Sequence, residues 1–484
     1  MCIIGGVACH VPAPLSKRFF LFLSYEVFSL VSTTPASAHP SFRLCGKVRV
    51  PGDKSISHRA LILGMLATGQ TRITGLLESE DVLHTLAAMR ALGAHIEKGS
   101  EPGCWIVDGI GTDQPTTPNA PLNFGNSGTG ARLCMGLVAG LGVTASFIGD
   151  QSLSGRPMNR VLKPLKALGV IINSNDGCLP VTLAGGTDIL AQAHETHIAS
   201  AQVKSALMLA SLRADGVTEI IEPALSRDHT ERMLMAFGAK VRSESLADGR
   251  HRARLYGPAH LQGTKIDVPG DPSSAAFPMV AALCIPGSDI MLQDVLMNPT
   301  RTGFIKVARA MGGKIDILNR RISGGEDIAD IRVRGSRLHG ITTRADIVPS
   351  MVDEFPALAV LAAFASGTTM MQGLGELRVK ESDRIARSEE MLRAMGVNVK
   401  SGPDWMQVEG TGAVWGKATS TALAPVRTDG DHRIAMAALI LGLAAFRQIE
   451  VCAPECIATS YPAFFDDMRS LGAKFQIVEE GVAC

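Results

Sequence analysis

Six times along the chain a short helical segment ends in a glycine and gives way to a β-branched run. The six segments read MRALGAHI (89–96), LKALGVII (165–172), MAFGAKV (235–241), RAMGGKI (309–315), RAMGVNV (393–399) and RSLGAKF (469–475). Their glycines, Gly93, Gly169, Gly238, Gly312, Gly396 and Gly472, recur roughly every 70–85 residues, which marks a repeated supersecondary unit. Each unit carries a second helix that is apolar almost all round. These runs begin near Ser57, Gly130, Ala201, Ser274, Glu354 and His432. Helices of that kind belong in the interior, so the loops before them are where polar chemistry has to sit.

At 484 residues the chain is too long for one ordinary core, and three units in each of two domains divide it evenly. Val50-Pro51-Gly52-Asp53 opens the first unit and Val268-Pro269-Gly270-Asp271 opens the fourth, the trace of an internal duplication. The expected division is 53–262 for the first domain and 41–52 with 263–484 for the second, with a join near 261–265 and a double-stranded hinge near 50–53 and 265–271. Hinge closure is a common way to enclose a ligand.

The formal charge of +1 gives no reason to expect nucleic acid or a membrane surface as partner. Ten cysteines are scattered singly, without zinc spacing, as expected of free thiols in a reducing compartment. Residues 1–40 stand apart. Lys17-Arg18, an apolar run over 19–31 and Ala36-Ser37-Ala38 outline a secretory signal, but Glu26 interrupts the run. The segment is read as an N-terminal extension that is disordered or not native, with organelle targeting and secretion as alternatives.

The loops ahead of the apolar helices carry paired charges. Lys54, Ser55, Ser57 and Arg59 cluster at the first helix start, where backbone amides and the helix dipole favour an anion. The second unit supplies the glycine-rich NFGNSGTGAR (123–132) and SGRP (154–157). The third supplies SAQVK (200–204) and SRDH (226–229), the fifth SMVDE (350–354) and RVKESDR (378–384), and the sixth DGDHR (429–433). Arg or Lys beside Asp or Glu, ahead of successive apolar helices, suits a cleft that binds several anionic groups and also moves protons.

At GDKSISHRALILGMLATG (52–69) the chain resembles the EPSP synthase (3-phosphoshikimate 1-carboxyvinyltransferase) family. NSGTGARL, SGRP, SAQVKSA, SRDHTERML, VPGDPSSAAFP, NPTRTG, RVKESDR and DHRIAMA extend the likeness from about residue 46 to residue 473, and ATSYPAFF resembles the class II bacterial branch. The resemblance implies an α/β fold of two similar domains, each of three βαβαββ repeats (an inside-out α/β barrel), with the active site in the interdomain cleft. It implies transfer of the enolpyruvyl group of phosphoenolpyruvate to the 5-hydroxyl of shikimate 3-phosphate, with release of phosphate through a tetrahedral intermediate. No metal or organic cofactor is implied. Also implied are small-molecule partners only, without nucleic acid or membrane, in a cytoplasmic monomer of the shikimate pathway to chorismate and aromatic amino acids.

Carried over by motif, Lys54, Ser55, Arg59, Ser200, Ala201, Gln202, Arg227, Asp353 and Lys380 are expected to hold shikimate 3-phosphate. Lys54, Gly128, Arg156, Gln202, Arg384 and Arg433 are expected to hold phosphoenolpyruvate. Asp353 is the candidate base, Glu381 the candidate acid and Lys54 their helper. The class I lysine contact has no counterpart in the stretch Ala458-Thr459-Ser460. Gly128 stands where some glyphosate-insensitive class II enzymes have alanine, so sensitivity to that inhibitor is expected. The alternatives are a catalytically silent anion-binding paralogue and the sister transferase acting on UDP-N-acetylglucosamine. The sister enzyme relies on a loop cysteine that has no counterpart here.

Overall fold

The computed structural model describes residues 35–477 except 102, 113, 187, 413–425, 446 and 447. The six repeat glycines all sit in turns at φ between +79° and +112°, the region an L side chain avoids, so each helix stops where the sequence places glycine. The second unit shows the plan. Strand Leu122–Asn123 leads into the buried helix Gly128–Leu141 and on to the parallel strand Ala145–Ile148; an outer helix, Asn159–Ala167, then precedes the antiparallel pair Ile172–Asn175 and Cys178–Leu183. That order is βαβαββ, and it recurs with helices Ala201–Ala210 and Phe355–Ala363 in the third and fifth units.

The first and fourth units exchange their opening strands. Cys45–Val48, which precedes the first buried helix Lys54–Leu66, pairs in parallel with Asp289–Leu296 of the fourth unit. Lys265–Asp267, which precedes the fourth buried helix Pro272–Cys284, pairs in parallel with Thr68–Thr74 of the first. Where the two crossings meet they bond to each other, Asp53 N to Pro269 O at 2.7 Å and Asp271 N to Pro51 O at 2.9 Å.

The sixth unit, with buried helix His432–Ala444, completes its sheet from the other end of the chain. Ala36–His39 lies antiparallel between Ile449–Val451 and Lys474–Ile477, the position that each other unit fills with its own last strand. The N-terminal extension therefore ends before Ala36 rather than at residue 40, and the Ala36-Ser37-Ala38 triplet is a buried strand, not an exposed processing site. Small side chains are needed there because helix His432–Ala444 packs closely: a Cβ on Gly442 would meet the Ala38 Cβ at 3.1 Å. The remainder of the extension lies outside the described residues.

Apolar burial falls into two clusters, one drawn from 56–268 with Leu296 and one from 36–50 with 275–473. The fold is thus the two-part α/β inside-out barrel of three-unit halves. Among the described residues six cysteines are free thiols while Cys452 is disulfide-bonded, which corrects the expectation of free thiols throughout. Among the described residues no helix is long and apolar enough to cross a membrane.

Candidate active site

All six buried helices direct their N-terminal ends at one cavity of about 310 Å³. Its wall includes Lys54 and Ser55 from the first, Gly128 and Thr129 from the second, Ala201 and Gln202 from the third and Ser273 from the fourth. Asp353 stands just ahead of the fifth, and His432 and Arg433 open the sixth. Six positive dipole ends around one space make a site for anions. Side chains add to this, since among the described residues the wall carries eight Lys or Arg against five Asp or Glu, an excess suited to several negative groups.

Asp353 and Arg384 organise the centre. Asp353 Oδ2 accepts from Arg227 NH2 at 2.9 Å, an ion pair between the third and fifth units. Its Oδ1 accepts from Arg384 NH1 at 3.2 Å, with Lys380 Nζ at 3.9 Å. Arg384 NH2 donates to Glu381 Oε2 at 2.5 Å and Arg384 Nε to Asp431 Oδ2 at 2.8 Å, so one guanidinium holds three carboxylates. Asp431 also caps the sixth buried helix by accepting from Arg433 N at 2.9 Å.

Burial opposes ionisation of Asp353, but Lys380, Arg433, Arg227 and Arg384 together override it and hold its carboxyl well below the usual carboxylate range. Glu381 follows the same logic: burial raises its pKa, and the Arg384 guanidinium does most to bring it below the ordinary value. His432 is pushed down to about 3 by burial and by Arg433, so it is neutral near pH 7 and leaves that task to arginine.

The glycine-rich loop faces this cluster. Arg132 NH1 donates to Gly128 O and to Gln202 Oε1, both at 3.3 Å, while NH2 reaches Pro157 O at 3.2 Å. Gln202 Nε2 donates to Thr129 Oγ1 at 3.1 Å, and Arg156 NH2 to Asn126 Oδ1 at 2.5 Å. Burial, then Arg160 and Arg156, lowers the Arg132 pKa to about 10, still a cation at neutral pH. Lys54 pairs with Asp81 across the floor.

The structure brings Lys54, Ser55, Gly128, Arg156, Ser200, Ala201, Gln202, Arg227, Asp353, Lys380, Glu381 and Arg433 to the wall of this one cavity. Arg59 and Arg384 stand behind it. Arg59 is spent on Ser55 O (2.9 Å), Thr230 Oγ1 (2.6 Å) and Ser205 Oγ (2.8 Å), and burial lowers its pKa to about 10. Sequence reasoning assigned no role to Arg132, Arg160, Arg301, Asp81 or Glu376, all of which line the space. Arg132 was within reach, four residues after Gly128 and so on the same helix face. Asp81 carried no such local signal.

Residues 39–468 match the family model for EPSP synthase (3-phosphoshikimate 1-carboxyvinyltransferase). A 3-phosphoshikimate 1-carboxyvinyltransferase of Rhizobium johnstonii is 51% identical over 93% of this chain and 99% of its own length. One from a Pseudomonas species is 51% identical over 92% of this chain and 98% of its own. A solved EPSP synthase from Acinetobacter baumannii superposes with a TM-score of 0.81 at 42% identity, covering 92% of this chain and all of that one. With one family model spanning nearly the whole described chain, and half of all residues shared with relatives of full length, the chain belongs to the EPSP synthase (3-phosphoshikimate 1-carboxyvinyltransferase) family.

Proposed function

We propose that the cavity adds the 5-hydroxyl of shikimate 3-phosphate to C2 of phosphoenolpyruvate and then expels phosphate, leaving the enolpyruvyl ether. The observation that carries this is the meeting of six helix N-termini, an excess of cations and two ionised carboxylates in one space. Each substrate brings a phosphate and a carboxylate, which such a wall neutralises.

In the first step Asp353 takes the 5-hydroxyl proton as the oxygen attacks C2, while Glu381, having acquired a proton, delivers it to the C3 methylene. In the second step a C3 proton returns to Glu381, the double bond re-forms, and the C–O bond to phosphate breaks as Asp353 gives the hydroxyl proton to the departing phosphate. Lys54 assists by its charge at the phosphate end. Both carboxylates are held ionised by cations, and two multiply anionic substrates would offset that field and raise their pKa values toward useful ones. Arg156, Gln202, Arg433 and the Gly128 loop then hold phosphoenolpyruvate, with Arg384 behind them. Ser55, Ser200, Ala201, Gln202, Arg227, Asp353 and Lys380 hold shikimate 3-phosphate, backed by Arg59.

The exchanged strands and separate cores support a hinged pair of domains, 53–262 and 41–52 with 263–484, the second also taking 36–39, with the hinge near 50–53 and 265–271. One chain supplies every helix end at the cavity, which supports a monomer; small soluble substrates suit the cytoplasm.

Phosphate release by the purified chain given phosphoenolpyruvate and shikimate 3-phosphate, beside arms lacking either and an arm with UDP-N-acetylglucosamine, tests the reaction. Release only with shikimate 3-phosphate is expected, and none with any acceptor, from folded protein, would remove this reading. Gly128 gives a second expectation. A Cβ there would lie 2.8 Å from Arg132 NH1 and 3.7 Å from Arg156 NH1, crowding the guanidinium pair. Glyphosate should inhibit the protein, and Gly128→Ala should raise both its inhibition constant and the KM for phosphoenolpyruvate by about tenfold or more. Unchanged inhibition of the variant would show that the inhibitor lies elsewhere.

A further inference from the structure

One guanidinium stands where the two chain crossings meet. Asp53 and Asp271 end the crossings, and each caps a buried helix: Asp53 Oδ1 accepts from Ile56 N at 2.9 Å and Asp271 Oδ1 from Ser273 N at 2.8 Å. Arg301, from the loop that follows the fourth unit's central strand, donates through NH1 to Asp53 Oδ2 at 2.7 Å and through NH2 to Asp271 Oδ1 at 2.6 Å. The same NH2 reaches Ser273 Oγ at 3.0 Å, and that hydroxyl donates to Glu354 Oε1. Lys54 N points at Asp271 Oδ2, 3.4 Å away. Arg301 is 3% exposed, and its reach extends by one hydroxyl from the start of the Lys54 helix to the residue next to Asp353.

A simple buried ion pair neutralises one carboxylate. This arginine draws together two, from opposite halves of the fold, whose like charges would otherwise push the helix starts apart. The relay also ends on an unusual group: Glu354 is buried, its Oε2 has no hydrogen-bond partner among the described residues, and burial raises its pKa. Both ends of the relay carry residues of the cavity wall, Lys54 and Ser55 at one and Asp353 at the other.

We propose that Arg301 is a positioning residue, which through Asp53, Asp271 and the Ser273–Glu354 relay fixes Lys54 and Ser55 in register with Asp353 across the cavity. This rests on the reading of Asp353 and Lys54 given above. A planar fork is essential to the role. The single ammonium of a lysine keeps the charge but cannot hold two carboxylates and a hydroxyl in one plane.

Steady-state kinetics with both substrates varied, on folded protein checked by thermal melting, tests the proposal. Arg301→Lys should lower kcat about 100-fold, the cost of a displacement near 1 Å, with KM values little changed. Ser273→Ala should lower kcat about tenfold, and the Arg301→Lys/Ser273→Ala double variant should be no slower than Arg301→Lys alone, because the two act in series. Arg301→Lys with kcat within about twofold of wild type, or a double variant whose losses multiply, would overturn the proposal while the reaction itself stood. If Arg301→Lys does not fold, Ser273→Ala and Glu354→Gln decide it: equal, non-additive losses in kcat support the relay, and wild-type turnover in both overturns it. A wild-type chain inactive on shikimate 3-phosphate would overturn the functional reading and this proposal with it.

Discussion

Asp353→Asn should reduce kcat by about 10²- to 10⁴-fold, the range that a positioned general base supplies. The substitution keeps the side chain's size and one oxygen for Arg384, so the loss should appear in kcat more than in either KM. It should also change stability in a pH-dependent way. Because the Asp353 carboxyl is held below its ordinary value, its contribution is full above the unfolded pKa of about 3.9 and disappears as pH falls through the folded one. The stability difference between wild type and variant should therefore be constant from pH 8 down to about 5 and shrink below about 4. Single-turnover formation of product and urea melts across that range provide the two readouts. Turnover within about threefold of wild type would take Asp353 out of the proton-transfer scheme and leave it as a counter-charge for Arg227 and Lys380.

The glycine turns and the six apolar helices were legible because their signals are local. A glycine such as Gly312 ends its helix through its own φ, and a run such as HRIAMAALILGLA is apolar on every face wherever it packs. From those two patterns it also followed that polar loops must gather at the helix starts. What sequence could not give were pairings set by chain topology. Nothing local in Ala36–His39 distinguishes a strand closing the sixth sheet from a leader's small-residue end; its partners are more than 400 residues away. The exchange of Cys45–Val48 and Lys265–Asp267 between units was foreshadowed only by the repeated Val-Pro-Gly-Asp. At the site, motif matching gathered most of the cavity-lining charges but could not tell a residue that faces the space from one that props it up. Arg384 and Arg433 look equivalent as cations at helix starts, yet Arg384 is spent on three carboxylates behind the wall while Arg433 lines it.

That difference makes Arg384 the second residue with a large expected effect. Arg384→Met should cost about 3–5 kcal/mol of stability at neutral pH, as removal of one partner from a buried charge cluster does. The cost comes from what remains. Asp431, fully buried and capping the helix that begins at His432, loses the donor that holds it ionised, and Glu381 and Asp353 lose their shared fork. Without the guanidinium, burial dominates at Asp431 and Glu381, whose folded-state pKa values rise above their unfolded ones, while Asp353 keeps Lys380, Arg433 and Arg227. A raised carboxyl contributes stability at low pH and loses it as pH rises through the folded value, the reverse of wild type, in which Asp431, Glu381 and Asp353 are all lowered. The deficit of Arg384→Met should thus be largest near pH 7.5 and shrink at pH 5, where the orphaned carboxyls can take up protons. Urea melts at the two pH values measure it. Equal deficits at both would mean that the arginine acts through packing of its stem, and that the carboxylates do not depend on it for their charge. Arg384→Lys separates the two further: it restores charge without the fork, so it should recover part of the stability at pH 7.5 but little of the turnover, because Asp353 and Glu381 are no longer held to one plane.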